Sequence, residues 1–414
     1  MITELTADGF KSLRNFRLSF SKGLNVLVGP NAAGKSNICQ ALGLLASAAG
    51  GPIADYVLSL GGAAAVFSFG GRSRGSSGRA KMLSVSCRGQ TTVIKGRKRV
   101  LLRYDYELKL ALSRELRIAS ESFRLYKLSP HKRYRTIVRA DRKDGAKQGP
   151  GLVVVIERPK EAGPISGRVS GRKGQTSLWA PLGALESSLR ILAGLSLYCH
   201  VVRIDMQFSK AWDIDPHVAK NPSDILEPPT VLPNGRRLSS AVYAMLKAKD
   251  GDIRHINQFL ARLLPGHDRV RAQTSPDGAT RTFSLVDSSG AECPAHSLSD
   301  GTVKLLALLV GVLGQKESTS IVEEPENYLH PWACRSLAEF FREHFSDGVC
   351  ILTTHSETVL NAVRPGEMIV VEKKGTSTTT SPVSRERDLA RAIRTSGFGC
   401  GYHYVAGSLG GTPE

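Results

Sequence analysis

The chain has 414 residues, 41% hydrophobic and 22% charged, which suits a soluble globular protein of two or three packed subdomains. No apolar run reaches the roughly 18 residues that a membrane span needs, and Met1 opens onto a polar stretch with no signal-peptide core; the expected setting is cytoplasmic, with no membrane partner. The net charge is +19, and residues 72–173 hold 27 basic against 8 acidic residues, so the whole excess lies in about a quarter of the chain, a field suited to a polyanion such as nucleic acid.

In chain order, Ile2–Phe10 and Phe16–Phe20 read as strands with a turn at Lys11-Ser12-Leu13. The apolar run Leu24–Val28 suits a buried parallel strand, Asn37–Ala48 has helical spacing, and Gly61–Gly78 reads as loop. Short strands follow at Met82–Cys87, Val100–Leu110, Leu116–Leu128, Thr136–Ala140 and Leu152–Ile156, separated by basic turns. Glu161–Gln175 reads as a flexible connection. Amphipathic helices are expected at Leu185–Tyr198, Leu238–Lys249 and Ile253–Leu264, and a strand at Thr282–Val286. The pattern then alternates: helix Gly301–Leu313, strand Thr319–Val322, helix Pro331–His344, strand Val349–Thr353, helix Ser356–Ala362, strand Met368–Glu372. Strands separated by helices imply a parallel sheet covered on both faces, built here from the two ends of the chain. No heptad pattern runs long enough for a coiled-coil arm. The expected division is an N-terminal lobe 1–80, a basic β-rich insertion 81–175, a helical and mixed subdomain 176–297 and a C-terminal lobe 298–414. The seven cysteines, with no CxxC pair, read as reduced thiols rather than a zinc site or a disulfide frame.

Gly29-Pro30-Asn31-Ala32-Ala33-Gly34-Lys35-Ser36 fits G-x-x-x-x-G-K-[ST] between a predicted strand and a helix that begins near Asn37. In that setting backbone amides and the helix N-terminus cradle phosphates, Lys35 reaches the β- and γ-phosphates and Ser36 ligates Mg²⁺. Ile321-Val322-Glu323-Glu324 ends a short apolar strand in adjacent acids; one carboxylate, Glu323, is expected near the metal and the next, Glu324, near the attacking water. Leu298-Ser299-Asp300-Gly301 precedes a helix; taken alone it is a cap, and with a Ser hydroxyl and a Gly amide it also makes an anion site. His355, after another apolar strand, stands where it can reach a γ-phosphate. Asp213-Ile214-Asp215 reads as a turn with solvated acids rather than a metal site.

These elements in this order resemble the ATP-binding-cassette ATPases of the SMC and RecF type, and within them the stand-alone AAA-family ATPases related to the overcoming-lysogenization-defect proteins. The likeness extends to Gly9-Phe10-Lys11-Ser12-Leu13 and to Glu-Glu-Pro-Glu-Asn-Tyr-Leu-His-Pro at 323–331. It implies an α/β fold, a P-loop ABC-type ATPase with a split nucleotide-binding sheet, carrying an inserted basic β-rich and helical subdomain and no long coiled coil. It implies ATP and Mg²⁺ as cofactors, nucleotide binding by Gly29 to Ser36 and Asn37, metal binding by Ser36 and Glu323, Glu324 as the catalytic carboxylate and His355 as the switch histidine. Leu298, Ser299, Asp300 and Gly301 would complete the site of a second protomer. Two departures stand out: Glu323 occupies the place where many relatives have Asp, and no convincing Q-loop glutamine is found, since Gln90 lies among the basic strands. The nuclease relatives carry a metal-binding Toprim module after the ATPase; the residues after His355 hold no acidic cluster, so the chain is expected not to be a nuclease alone.

The expected function is ATP hydrolysis by a nucleotide-dependent homodimer acting on nucleic acid, in DNA repair or antiviral defence, with a separately encoded effector such as a nuclease. Arg97, Lys98, Arg99, Lys132, Arg133 and Arg135 are the candidate contacts. The alternative is an ATPase scaffold whose basic insertion docks a protein effector without binding nucleic acid. A transporter cassette is a poor fit, because the insertion is too large.

Overall fold

The computed structural model describes residues 1–68, 81–95, 98–128, 134–145, 149–157, 168–170, 175–181, 185–207, 211–248, 251–264, 266–315, 318–382 and 386–407. Its centre is a six-stranded sheet in the order Ala211–Trp212, Thr319–Glu323, Val349–Thr354, Gly23–Val28, Met368–Lys374, Ser377–Pro382. The first five strands are parallel and the last returns antiparallel. Neighbouring side chains serve opposite faces, as a strand's period of two requires: Leu27, Ile321 and Ile351 enter one hydrophobic core, while Val26, Val28, Val322 and Leu352 enter the other. Burial on both faces explains why these strands read as continuous apolar runs. The chain ends of the parallel strands share one edge, where ligands bind open α/β sheets.

The first core is roofed by a nine-stranded antiparallel sheet in which Phe16–Ser19 and Ile2–Asp8 continue directly into Met82–Lys95, Lys98–Leu112, Leu116–Leu128, Tyr134–Gly145, Gly149–Glu157, Gln175–Pro181 and Arg168–Ser170. Along Lys98–Leu112, buried Leu102, Tyr104, Tyr106, Leu108 and Leu110 alternate with more exposed residues, so one face packs on the helices Lys35–Gly50 and Leu197–Gln207 and the other faces water. Glu121, 2% exposed, fastens this sheet to the next helix: Tyr106 and Ser187 hydroxyls donate to its Oε1 at 2.7 Å and the Ser188 amide donates to Oε2 at 2.9 Å. The second core holds the helix Asp300–Gln315, helices Leu238–Ala248 and Gly251–Leu263, and a small antiparallel sheet of Ser223–Asp224, Thr280–Asp287, His267–Thr274 and Glu292–Pro294.

Several expectations are corrected. The helix expected at Leu185–Tyr198 is two, Ser188–Leu195 and Leu197–Gln207, because Ser196 is extended at φ −155° and its hydroxyl accepts from the Tyr198 amide. Ala63–Val66 forms a helical turn within the segment expected to be loop, and Arg168–Ser170 pairs as a strand within the expected connection; most of both segments lies outside the described residues. His267–Thr274 escapes notice in the sequence because its apolar positions are few. Beyond the one helix and one strand expected in the last sixty residues, found at Glu357–Asn361 and Met368–Lys374, lie a second strand and two further helices, Glu386–Ser396 and Cys400–Val405. Among the described residues the longest helices have 16 residues, and no helix is long and apolar enough to cross a membrane.

Candidate nucleotide site

The strand Gly23–Val28 delivers the chain to a turn whose glycines are set by contact. A Cβ on Gly29 would stand 2.1 Å from the Val371 carbonyl oxygen, and one on Gly34 would stand 2.0 Å from Thr378 Oγ1 at a φ of 109° that other residues resist. Gly34 caps the helix Lys35–Gly50 without a side-chain hydrogen bond, and the first turn has no acid. Its leading amides therefore face the loop, the arrangement that binds phosphate oxygens. Lys35 Nζ donates to the Gly29 carbonyl at 2.6 Å and the Pro30 carbonyl at 3.1 Å. Burial holds its pKa below the ordinary lysine value, with Glu324 and Glu326 opposing that effect.

A hydrogen-bond relay supports the loop from below. Asn37 Nδ2 donates to Ser12 Oγ at 2.6 Å, Ser12 and Thr378 hydroxyls meet at 2.6 Å, and Thr378 Oγ1 donates to the Ala33 carbonyl at 2.8 Å. Lys11 Nζ donates to Gln40 Oε1 at 2.7 Å. The Gly9-Phe10-Lys11-Ser12-Leu13 segment thus buttresses the phosphate loop, and Thr378, which no sequence signal marks, is the link between them.

Across the loop, Glu323 ends its strand with the Ser36 hydroxyl beside its carboxylate. Burial, with Asp213 and Glu324 adding to it, pushes the Glu323 pKa up to about 7 although Ser36 opposes the rise. A hydroxyl and a carboxylate facing each other, with more acids nearby, are the hard-oxygen donors that Mg²⁺ takes, and a divalent cation would relieve the cost of burying that charge. The residues fit the metal.

Glu324 adopts φ 42°, unusual for a side chain of its size. Its amide donates to the Thr353 carbonyl at 3.1 Å, its carbonyl accepts from Lys304 Nζ at 3.0 Å, and its Oε2 accepts from Asn327 Nδ2 at 3.1 Å. His355 Nδ1 lies 3.6 Å from Glu324 Oε1 and 3.9 Å from Glu326 Oε1. Glu326 Oε1 also accepts from the Thr354 hydroxyl at 2.6 Å and the His355 amide at 3.3 Å, so it shapes the turn that carries the histidine. Two hints lay in the sequence: Glu326 within the acidic run, and Lys304 as a lone cation in a buried helix.

The Asp213-Ile214-Asp215 segment divides. Asp215 caps the short helix Pro216–Ala219 through the His217 amide at 2.9 Å. Asp213 follows a strand in parallel register with the Glu323 strand, Ala211 beside Ile321 and Trp212 beside Val322, so it continues level with Glu323 and acts on its charge. Asp213 and Asp215 are both exposed, as solvated acids of a turn should be, and the structure adds that Asp213 lies at this sheet edge.

Leu298 is buried and anchors the start of the helix Asp300–Gln315. The exposed Ser299 caps it, its Oγ accepting from the Thr302 amide at 3.2 Å. Asp300 is held by Lys220 Nζ at 2.6 Å. A Cβ on Gly301 would stand 2.3 Å from the Tyr328 carbonyl oxygen, so backbone packs on backbone there.

Of the basic candidates, Arg97, Lys132 and Arg133 lie outside the described residues, and Arg135 sits in Tyr134–Gly145 with its side chain outside them. Lys98 and Arg99 are exposed at the start of Lys98–Leu112, opposite Lys95 and Ile94. Elsewhere on the watery face many charges are paired: Arg17 and Arg88 with Glu4 at 2.7 and 3.3 Å, Lys109 with Glu107 at 3.1 Å, and Arg139 with Asp141 at 2.9 Å.

Comparison with known proteins adds the following. The AAA ATPase domain family matches residues 1–74, and the family described as "AAA domain, putative AbiEii toxin, Type IV TA system" matches residues 216–361. A 46-residue stretch is 44% identical to the DNA replication and repair protein RecF of Magnetococcus marinus, spanning 11% of this chain and 12% of that protein's length. An SMC head bound to the C-winged helix domain of ScpA superposes with a TM-score of 0.52 at 14% identity, covering 94% of this chain and 99% of that one. The SMC head domain from Thermotoga maritima covers 92% and 99%, at 13% identity and a TM-score of 0.41.

Proposed function

We propose, from the premise that the chain is an ABC-type ATPase of the SMC/RecF-like group, that it hydrolyses ATP as a nucleotide-dependent homodimer acting on nucleic acid in the cytoplasm. The observation that carries the ATPase reading is the shared sheet edge: phosphate loop, Ser36 against Glu323, and Glu324 beside His355. Loop amides and Lys35 hold the phosphates, and Glu324 orients the attacking water while His355 faces the γ-phosphate. Ser36 and Glu323 would hold Mg²⁺, which would supply neutralising charge to the phosphate oxygens. Ser299, exposed at the start of its helix, and the Gly301 amide reach the partner's nucleotide, while Asp300 is held by Lys220.

Nucleic acid is supported by the concentrated positive charge and by the RecF likeness, and a role in DNA repair or antiviral defence with a separate effector follows the same reading. The second reading, a scaffold docking a protein effector, is favoured by the ion pairs that neutralise much of the described sheet face, and by the SMC head whose structure includes a ScpA domain. Salt dependence separates them, because phosphate contacts release counterions.

Glu324→Gln tests the catalytic assignment: the variant should bind ATP and Mg²⁺, hydrolyse ATP at least about a hundredfold more slowly, and accumulate as an ATP-dependent dimer in size-exclusion chromatography. Hydrolysis at the wild-type rate would refute it.

A further inference from the structure

On the reading that each nucleotide site is shared between two copies, we propose that Lys304 is a positioning residue that couples the two sites. It ties the helix a protomer lends to its partner's nucleotide to the carboxylate that serves its own.

Lys304 lies one turn into the helix Asp300–Gln315, flanked by the fully buried Val303, Leu305 and Leu306, and is itself only 2% exposed. A cation in such surroundings is expensive to desolvate unless its donors are used. Its ammonium donates to the main-chain carbonyl of Glu324 at 3.0 Å and lies 5.8 Å from the centre of the Tyr328 ring. The same helix makes a second contact with this turn, because Gly301 leaves no room for a Cβ beside the Tyr328 carbonyl. The helix is therefore fastened at two points to residues 324–328.

Glu324 is the residue on which such a fastening acts most. Its φ of 42° is strained for a non-glycine residue and persists only where surrounding contacts enforce it. Those contacts include the hydrogen bond from its amide to the Thr353 carbonyl on one side and, on its carbonyl, the Lys304 ammonium at 3.0 Å and the Asn327 amide at 3.3 Å. Ser299 stands on the exposed end of the helix that bears Lys304. When Ser299 engages the partner's γ-phosphate, the helix start is drawn toward the partner, and Lys304 and Gly301 carry that movement to the Glu324 peptide. Nucleotide at one site thus sets the carboxylate at the other, and hydrolysis responds cooperatively to ATP.

Steady-state hydrolysis against ATP concentration, with binding of a fluorescent ATP analogue in parallel, tests this. The wild type should give a Hill coefficient above 1, toward the limit of 2 for two sites. Lys304→Met keeps the aliphatic stem and removes the donor. It should bind the analogue within about threefold of wild type, lose about tenfold or more in kcat and give a Hill coefficient of 1. Lys304→Arg restores a charged donor and should recover part of both quantities; it carries the test if Lys304→Met melts far below the wild type. A Lys304→Met protein with the wild-type Hill coefficient overturns the coupling. A wild type that hydrolyses ATP with a Hill coefficient of 1 also overturns the coupling but leaves the ATPase reading standing. Absence of hydrolysis overturns the ATPase reading itself.

Discussion

Replacing Glu323 by Gln removes a charge that the fold holds at a cost. Burial lifts the Glu323 carboxyl to about 7 from 4.5, so between these values the native chain binds more protons than the unfolded one. Stability therefore falls as pH rises through that window and is level above it, the loss amounting to about 3 kcal/mol. Gln keeps the shape, has no charge and can still meet the Ser36 hydroxyl. At pH 8, without metal or nucleotide, Glu323→Gln should be more stable than the wild type by up to about 3 kcal/mol, a rise in melting temperature of about 3 °C for a chain of this length. At pH 5 the gap should shrink below about 1 kcal/mol, because most of the native carboxyl is then protonated. Calorimetric melting in a chelator at both pH values measures the difference. Equal melting temperatures at pH 8, or a variant that melts lower there, would refute the claim that Glu323 is a strained acid awaiting a cation. Added Mg²⁺ with ATP should reverse the order, since only the wild type supplies an anionic ligand.

Lys35→Ala should lower ATP affinity by at least about a hundredfold in a filter-binding or fluorescence assay, because its ammonium is the cation of the phosphate loop. Reversing Arg97, Lys98 and Arg99 to Glu should weaken nucleic-acid binding across sequences and lower the slope of log affinity against log salt by about one for each lost phosphate contact. Basal ATP hydrolysis should be unchanged, and an unaltered salt slope would favour a protein partner for that surface.

The parts of the fold that local pattern dictates were legible in the sequence. Leu116–Leu128 and Pro331–His344 match their expected bounds, the first by the alternation of Glu121, Phe123 and Leu125 with more exposed residues and the second because His330 caps the helix and Pro331 opens it. The phosphate loop and the acidic strand end could be read because each is contiguous in sequence. What was hidden depends on pairing between distant segments. Asp213 reaches the edge that carries Glu323 through a strand of two residues that pairs with Thr319–Glu323, more than a hundred positions away, and so short a strand has no readable periodicity. Thr378 supports Ala33 only because Ser377–Pro382 turns back antiparallel, and a run of threonines gives no hint of which one faces the loop. Asp215, by contrast, sits directly before Pro216, a helix-start signature that separates it from Asp213.

The central claim is a nucleotide site made from two copies of the chain, and mixing Lys35→Ala with Ser299→Arg protein tests it most directly. Each variant alone should be inactive. In a mixed dimer one site carries both lesions and the other carries none, so an equimolar mixture should recover measurable ATPase activity, at most about a quarter of the wild-type rate, half the dimers being mixed and each having one live site of two. Activity of Ser299→Arg alone at the wild-type rate, or a mixture that stays inactive although both folded variants form dimers, would contradict the shared site and leave Ser299 as a helix cap.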